Sequence, residues 1–485
     1  MREAEHFLHG FFWPKSIAVV GATKNIYKTN FRLVQNLVHL NYPGQIYPVN
    51  PTEKEILGLK AYARLEDIPA PIDLVVSGVR PELTRKVVEQ CAVIGIKRLV
   101  IVTGGFSEAG QSGQALHREI AELVKSKGIR TLGPNTLTPN NTANNLIISY
   151  CRVNQLRQGG LSFAFQSGFY EPKINWIFSN FGVCKMLDMG NKIDIHEVEA
   201  LEYFYLDPET RVIALHMESL HGDGRRFMEL LREVSLKKPT VILKSGRTPS
   251  GSKAAASHTG SLARENDLIF DSLIKQTAAV RAQNLEEFFD LAKAFSYLEL
   301  PRGKRLAILT MSGGEGVMAT DAAEMSGLAL ASLNHQTLKK LKGNLPPWEI
   351  PLNPFDGGVV MQFNFTNLPE YFSSLAFIPA DDNVDCAVMQ MPPNMADFVF
   401  SGANLSADEA QSLRNKFLQS FMDIKNAGKP FVLWRSALDA GEGELIDLFE
   451  AHGLPVFASA DRAVKALAVM AEYQKRRIAA EKGGD

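Results

Sequence analysis

The stretch Ser16-Ile17-Ala18-Val19-Val20-Gly21-Ala22-Thr23-Lys24, followed by an amphipathic segment over residues 30–40, decides the fold class. A run rich in β-formers stops at a glycine and a helical period follows, which is how a βαβ unit opens. The alternation continues outward. Apolar runs recur at 45–49, 73–76, 98–102 and 129–132, with helical patterns at 81–94 and 114–126 between them. A second series begins after Gly159-Gly160, with runs at 161–165, 183–186, 212–217 and 240–243. A third follows Pro301-Arg302-Gly303-Lys304, at 305–310, 385–391 and 430–434. Strands alternating with helices imply parallel, doubly wound sheets. The Gly/Pro punctuation near 155–160 and 300–304 marks linkers. Three α/β domains are therefore expected, at 1–150, 155–298 and 302–475, in keeping with 485 residues at roughly 150 per domain.

Composition narrows the function classes. Lys and Arg number 52 against 53 Asp and Glu, a net charge of −1, so the basic excess of a nucleic-acid binder is missing. Hydrophobic residues at 45% and charged residues at 22% suit a packed globular chain. No apolar run approaches the roughly 18–20 residues that span a bilayer, so no membrane partner is expected. The first residues lack the apolar core of a secretory signal, which points to the cytoplasm. Cys91, Cys151, Cys184 and Cys386 are scattered without a CxxC pair. Neither a zinc cage nor a disulfide framework is indicated, and no metal site is expected on this chain.

Doubly wound sheets bind ligands at the C-terminal ends of their strands, so the loops after each apolar run are the places to search. Gly21-Ala22-Thr23-Lys24 has the position of a phosphate loop, but no second glycine follows before Gly44. That counts against a nicotinamide-dependent oxidoreductase. A looser phosphate-contacting loop and a plain turn both remain. Gln166-Ser167-Gly168 is a second strand-to-glycine junction, where Ser167 can cap a helix and the turn can hold an anion. A nucleophilic Ser167 is disfavoured because the G-x-S-x-G elbow is absent. Ser312-Gly313-Gly314-Glu315-Gly316 is the third; its glycines allow close approach of a ligand or close strand–helix packing.

His258 stands after Lys244-Ser245-Gly246-Arg247 and a stretch of small residues, 250–256, which reads as a loop. Glu218 ends the apolar run 212–217. A carboxylate there can hydrogen-bond one imidazole nitrogen, fix the tautomer and leave the other nitrogen nucleophilic. A structural histidine and an ordinary loop acid are the alternatives.

These stretches, with Ile46-Tyr47-Pro48-Val49-Asn50-Pro51, Gly133-Pro134-Asn135, Gly190-Asn191-Lys192, Ser257-His258-Thr259-Gly260-Ser261, Gly313 to Ala319 and Asn353-Pro354-Phe355-Asp356, resemble the α-type chain of the NDP-forming acyl-CoA synthetases, relatives of succinyl-CoA synthetase. The resemblance runs in the family's order from about Phe12 to Ala471. It implies a Rossmann-like CoA-binding domain followed by two flavodoxin-like ligase domains. It further implies that His258 is phosphorylated with Glu218 as its partner. Helix N-termini at Gln166, Ser167, Gly168 and at Ser312, Gly313, Gly314 would hold the phosphohistidine. Gly21, Ala22, Thr23, Lys24, Asn50, Thr103, Gly104 and Asn135 fall where the family lines its CoA site.

The chain departs from the family at Asn25-Ile26-Tyr27, at Thr136-Leu137-Thr138, and at Phe169-Tyr170-Glu171-Pro172, where small residues are usual. Phe169, Tyr170 and Glu171 are therefore candidates for an altered acyl pocket. No stretch of this sequence has ATP-grasp character, so ATP/ADP or GTP/GDP with Mg2+ is expected on a separate ATP-grasp β-type subunit, in an assembly such as α2β2. A catalytically weakened acyl-CoA-binding regulatory protein of the same fold is the alternative.

Overall fold

The computed structural model describes residues 2–166, 168–259, 267–362, 364, 368–391, 406–435 and 443–482. The chain divides into two compact units, 1–284 and 285–485.

The first unit contains two large sheets and a two-stranded hairpin, Glu55–Ile56 with Leu59–Lys60. β1 (Ser16–Val20), β2 (Gln45–Val49), β3 (Leu74–Ser77), β4 (Arg98–Ile101) and β5 (Arg130–Leu132) pair in parallel in the order β2-β1-β3-β4-β5. The helix α1 (Asn30–His39) returns the chain from β1 to β2. The second sheet comprises β6 (Asn140–Asn141), β7 (Gln158–Phe165), β8 (Val183–Asp188), β9 (Val212–Met217), β10 (Thr240–Lys244) and β11 (Val280–Ala282). Its order is β11-β10-β9-β7-β8-β6, parallel except for β6, which runs antiparallel to β8.

The second unit repeats the plan. β12 (Arg305–Thr310), β13 (Ala329–Leu330), β14 (Phe355–Asp356), β15 (Cys386–Gln390), β16 (Phe431–Trp434) and β17 (Val456–Phe457) give the order β13-β12-β15-β16-β17, with β14 also paired to β12. In the three large sheets β1 lies between β2 and β3, β7 between β8 and β9, and β12 between β13 and β15. The connections therefore leave in opposite directions at one switch point per sheet: β1/β3, β7/β9 and β12/β15.

The apolar runs are continuous because helices cover both sheet faces. In β1, Ile17 and Val19 join one core while Ala18 and Val20 join another, as the pleat requires. The first of these cores continues into Leu187, Leu215 and Ile242 of the second sheet, which makes residues 1–284 one unit. The second unit has its own core around Leu309, Phe372, Met389 and Leu433.

Three further helices are α2 (Ile174–Asn180), α3 (Pro249–Thr259) and α4 (Leu285–Tyr297). α4 packs within the second unit, where its Asp290 receives a bidentate pair from Arg462 at 2.6 and 2.8 Å. Among the described residues, no helix is long and apolar enough to cross a membrane.

Candidate active site

In the first sheet the loops after β1 and β3 meet at the switch point. Gly21 has φ +83°, and a Cβ on it would lie 3.2 Å from the backbone of Gly78. Asn30, at the start of α1, ties the two loops together by donating to the carbonyls of Gly21 (3.2 Å) and Gly78 (2.6 Å). Asn50 donates to the carbonyl of Ala22 at 2.7 Å. Its Oδ1 accepts from the backbone N–H groups of Thr52 and Glu53. Thr23 is nearly buried and accepts from the Asn25 N–H at 3.1 Å. Lys24 is exposed and pairs with Glu53 at 2.8 Å, and that carboxylate raises its pKa. Exposed pairs contribute little, so an anionic ligand can take Lys24 over at small cost. A glycine-floored loop with an exchangeable ammonium fits a phosphate of CoA.

Farther along the same edge, the Thr103 hydroxyl donates to the carbonyl of Val79 at 2.9 Å. Asn135, at φ +61°, donates its N–H to the Thr103 carbonyl at 3.0 Å. Gly104 faces Glu108 and Asn135: a Cβ there would stand 2.8 and 3.3 Å from their side-chain oxygens. Glu108 was not singled out by sequence. Its Oε1 accepts from the Gly105 N–H at 2.6 Å and its Oε2 from the Asn191 amide. The signal available was an acid shortly after a Gly-Gly turn at a strand's end. Gly190 lies against the first sheet so closely that a Cβ would meet the Pro134 carbonyl at 2.2 Å. Asn191 donates its N–H to that same oxygen at 2.9 Å.

At the second switch point, Gln166 follows β7 and is buried. Its Oε1 accepts the N–H groups of Glu218 (3.1 Å) and Ser219 (3.3 Å). Gln166 and Glu218, far apart in the chain, are thus brought together. Lys244, the last residue of β10, donates to the carbonyls of Glu218 (2.7 Å) and Ser245 (2.9 Å). Lys192 donates to the Ser219 carbonyl at 2.6 Å and forms a fully buried ion pair with Glu197. Buried charge demands this degree of pairing. Neither lysine had been assigned a role from sequence, although both lie in stretches that carry the resemblance.

Three expectations change here. The small-residue stretch before His258 is not a loop but helix α3, and His258 is in its last turn. Pro249 supplies a preset φ at the first helical position and the Ala254-Ala255-Ala256 run has the highest helix propensity. No α-helix starts directly after Gln166-Ser167-Gly168; Gly168–Lys173 forms a 3-10 turn containing Pro172, and α2 begins only at Ile174. Tyr170 and Glu171, expected to line an acyl pocket, turn inward. The Tyr170 ring is buried, 4.5 Å from that of Phe165, and its hydroxyl is hydrogen-bonded to His216. Glu171 accepts from the Ser149 hydroxyl (2.6 Å) and the Cys151 N–H (2.7 Å). Burial raises its carboxyl pKa, and those hydrogen bonds offset part of the shift. Ser167 and the side chains of Phe169 and His258 lie outside the described residues.

In the second unit, Gln390 at the end of β15 accepts the N–H of Met311 after β12 at 2.8 Å, bridging the third switch point. Ser312 caps α5 (Gly313–Met325), accepting from the Glu315 N–H at 3.4 Å. A Cβ on Gly314 would meet nothing within 4 Å, so that backbone is open to a ligand. At Gly316, by contrast, a Cβ would stand 3.3 Å from the Cβ of Pro354.

Two features elsewhere are separate from these loops. Cys184, Asp207 and Glu209 converge as metal ligands would, but Lys185 Nζ lies 2.8 Å from each carboxylate, where a cation would stand. A cavity of about 610 Å³ lined by Trp13, Pro43, Pro208 and Glu209, among others, contains none of the expected site residues.

Comparison with known proteins agrees with this arrangement. Residues 15–141 match the CoA binding domain family and residues 158–295 the succinyl-CoA ligase like flavodoxin domain family. The acetate–CoA ligase [ADP-forming] II of Archaeoglobus fulgidus is 34% identical over 97% of this chain and 68% of its own length. The acetate–CoA ligase [ADP-forming] I subunit alpha of Pyrococcus furiosus is 34% identical over 96% of this chain and 98% of its own. The dinucleotide forming acetyl-coenzyme A synthetase 1 of Ca. Korarchaeum cryptofilum, solved with phosphate and ADP, superposes with a TM-score of 0.84 at 28% identity, covering 98% of both chains. With two relatives above 30% identity matched over most of their length, the chain belongs to the family of ADP-forming acyl-CoA synthetases.

Proposed function

We propose that this chain is the α-type subunit of an NDP-forming acyl-CoA synthetase and carries its phosphoryl relay on His258. In the thioester-cleaving direction, phosphate displaces CoA from the acyl carbon. His258 then takes the phosphoryl group from the acyl phosphate, releasing the carboxylic acid, and passes it to a nucleoside diphosphate. Synthesis is the reverse. A histidine near its ordinary pKa of about 6.5 is largely neutral at pH 7 and can act as nucleophile. Glu218 holds the imidazole in the reactive tautomer. Gln166, Ser167 and Gly168 form one set of groups that receives the phosphoryl group, and Ser312, Gly313 and Gly314 a second set. The first sheet's loops, Gly21 to Lys24 with Asn50, Thr103, Gly104 and Asn135, hold CoA.

The observation that carries this reading is the grip of Gln166 on the N–H groups of Glu218 and Ser219. It joins the anion-binding loop to the proposed partner of His258, beside the strand that leads into the histidine's helix. A relative matched over 98% of its length bears the name of an alpha subunit, which supports a second, ATP-grasp β-type subunit binding the nucleotide with Mg2+, in an α2β2 assembly. The ADP-forming names of these relatives favour adenine over guanine nucleotides.

The test is a phosphohistidine assay on the chain co-expressed with an ATP-grasp partner and given γ-labelled ATP. An acid-labile, base-stable label is expected, absent in His258→Ala and reduced at least about tenfold in Glu218→Gln, as loss of an orienting hydrogen bond would do. A wild-type chain that takes no label, yet binds CoA, would put the regulatory acyl-CoA-binding reading in its place.

A further inference from the structure

Three polar side chains with no part in the reading above form a continuous hydrogen-bonded chain, buried at Tyr170 and His216 and half-buried at Ser245. The Tyr170 hydroxyl lies 2.9 Å from His216 Nδ1, and His216 Nε2 lies 2.7 Å from the Ser245 hydroxyl. His216 stands on β9, the strand between β7 and β10, in register with Phe165 on one side and Leu243 on the other. Tyr170 belongs to the 3-10 turn that continues the loop after β7. Ser245 is the first residue beyond β10. The imidazole thus reaches across the central strand and links two loops that the sheet alone leaves independent.

The link continues to the helix. The Ser245 N–H is fixed on the Met217 carbonyl at 3.0 Å. Gly246 turns at φ +72°, and its carbonyl accepts the Ser252 hydroxyl of α3 at 2.6 Å. Ala255 of the same helix approaches Gly246 so closely that a Cβ there would lie 3.4 Å away. A neutral imidazole has one N–H and one acceptor nitrogen, and because both partners are hydroxyls, either tautomer makes both hydrogen bonds of the chain. Burial, with Lys244 and Lys192 repelling a second positive charge, keeps the ring neutral.

We propose that Tyr170, His216 and Ser245 are positioning residues that lock the base of the His258 helix to the anion-binding loop after β7, setting the reach over which the phosphoryl group is handed on. The proposal rests on the reading of His258 for its functional consequence, but the mechanical link stands apart from it.

The experiment compares the full chain with Tyr170→Phe, Ser245→Ala and Ser245→Thr. Tyr170→Phe removes one oxygen and keeps the ring packing. Hydrogen exchange of peptides covering 245–255 is expected to speed up roughly tenfold in Tyr170→Phe and in Ser245→Ala, the effect of losing one buried hydrogen bond, and to stay near wild type in Ser245→Thr. Peptides from β1 and β2 should not change. With the ATP-grasp partner present, labelling of His258 should slow by a similar factor while the dissociation constant for CoA holds. Unchanged exchange at 245–255 in Tyr170→Phe would overturn the link. Exchange that rises throughout residues 1–284, with CoA binding lost in step, would reduce it to ordinary packing and overturn it as well. A wild-type chain that takes no label would overturn the His258 reading, which the exchange measurements do not use.

Discussion

At the scale of single residues, His216 carries a prediction about pH. Burial, and then the charges of Lys244 and Lys192, push its imidazole down to about 4 from the usual 6.5. Between those values the unfolded chain binds a proton that the native chain refuses. Stability is therefore full above pH 6.5 and falls as the pH drops toward 4. Lowering the pH from 7 to 5 should cost the 1–284 unit about 2 kcal/mol from this group. Glu171 works in the opposite sense, because its raised pKa favours the protonated, folded form as the pH falls. Comparing urea midpoints of wild type and His216→Asn at the two pH values isolates the histidine. A variant less stable at pH 7, but losing less on acidification, is expected; parallel pH dependence in the two proteins would contradict the assignment. Gln166 was legible in the sequence because a polar residue between an apolar strand and a glycine invites attention. His216 was not. It sits inside the apolar run 212–217, and its partner Tyr170 is 46 residues away with no spacing rule to connect them.

Elements explain what could be read and what could not. The long apolar runs of the three sheets announced parallel strands buried on both faces, and the structure has them. The shared strand order is another matter, since periodicity reports burial and not which strand pairs with which. Helix α3 shows the converse failure. A Ser/Gly/Lys/Ala stretch has no apolar period to reveal it, yet alanines after a proline favour helix on backbone grounds alone. Gly21 makes the element-level prediction. Its φ is +83°, and a Cβ on it would stand only 3.2 Å from the Gly78 backbone where the loops after β1 and β3 meet. Gly21→Ala should weaken CoA binding about tenfold by calorimetry, from left-handed strain of roughly 1–2 kcal/mol borne by the binding loop. Gly58→Ala is the control. Gly58 has a similar φ of +78° but nothing within 4 Å of its Cβ, so it should lose stability without losing CoA affinity.

At the scale of the whole molecule, the fold joins two sheets through one core and leaves the third sheet with its own. The expected CoA loops and the segment carrying His258 belong to residues 1–284, and the glycine-rich turn at Ser312 belongs to residues 285–485. The balanced charge of −1 gives no net attraction for an anionic ligand, and of Lys24, Lys192 and Lys244 the first is exposed, while the other two are committed to Glu197 and to backbone carbonyls. Two compact units give two cooperative blocks, so calorimetry should resolve two transitions. CoA at a hundredfold excess over its dissociation constant should stabilise the block that binds it by about 2.7 kcal/mol. Only the transition of residues 1–284 should move, and Gly21→Ala should reduce that shift at fixed CoA. The transitions can be assigned by hydrogen exchange of β1 and β12 peptides during the melt. If the transition of residues 285–485 rose with CoA as well, that unit would be contributing to the CoA site, and confining the site to the first sheet's loops would be wrong.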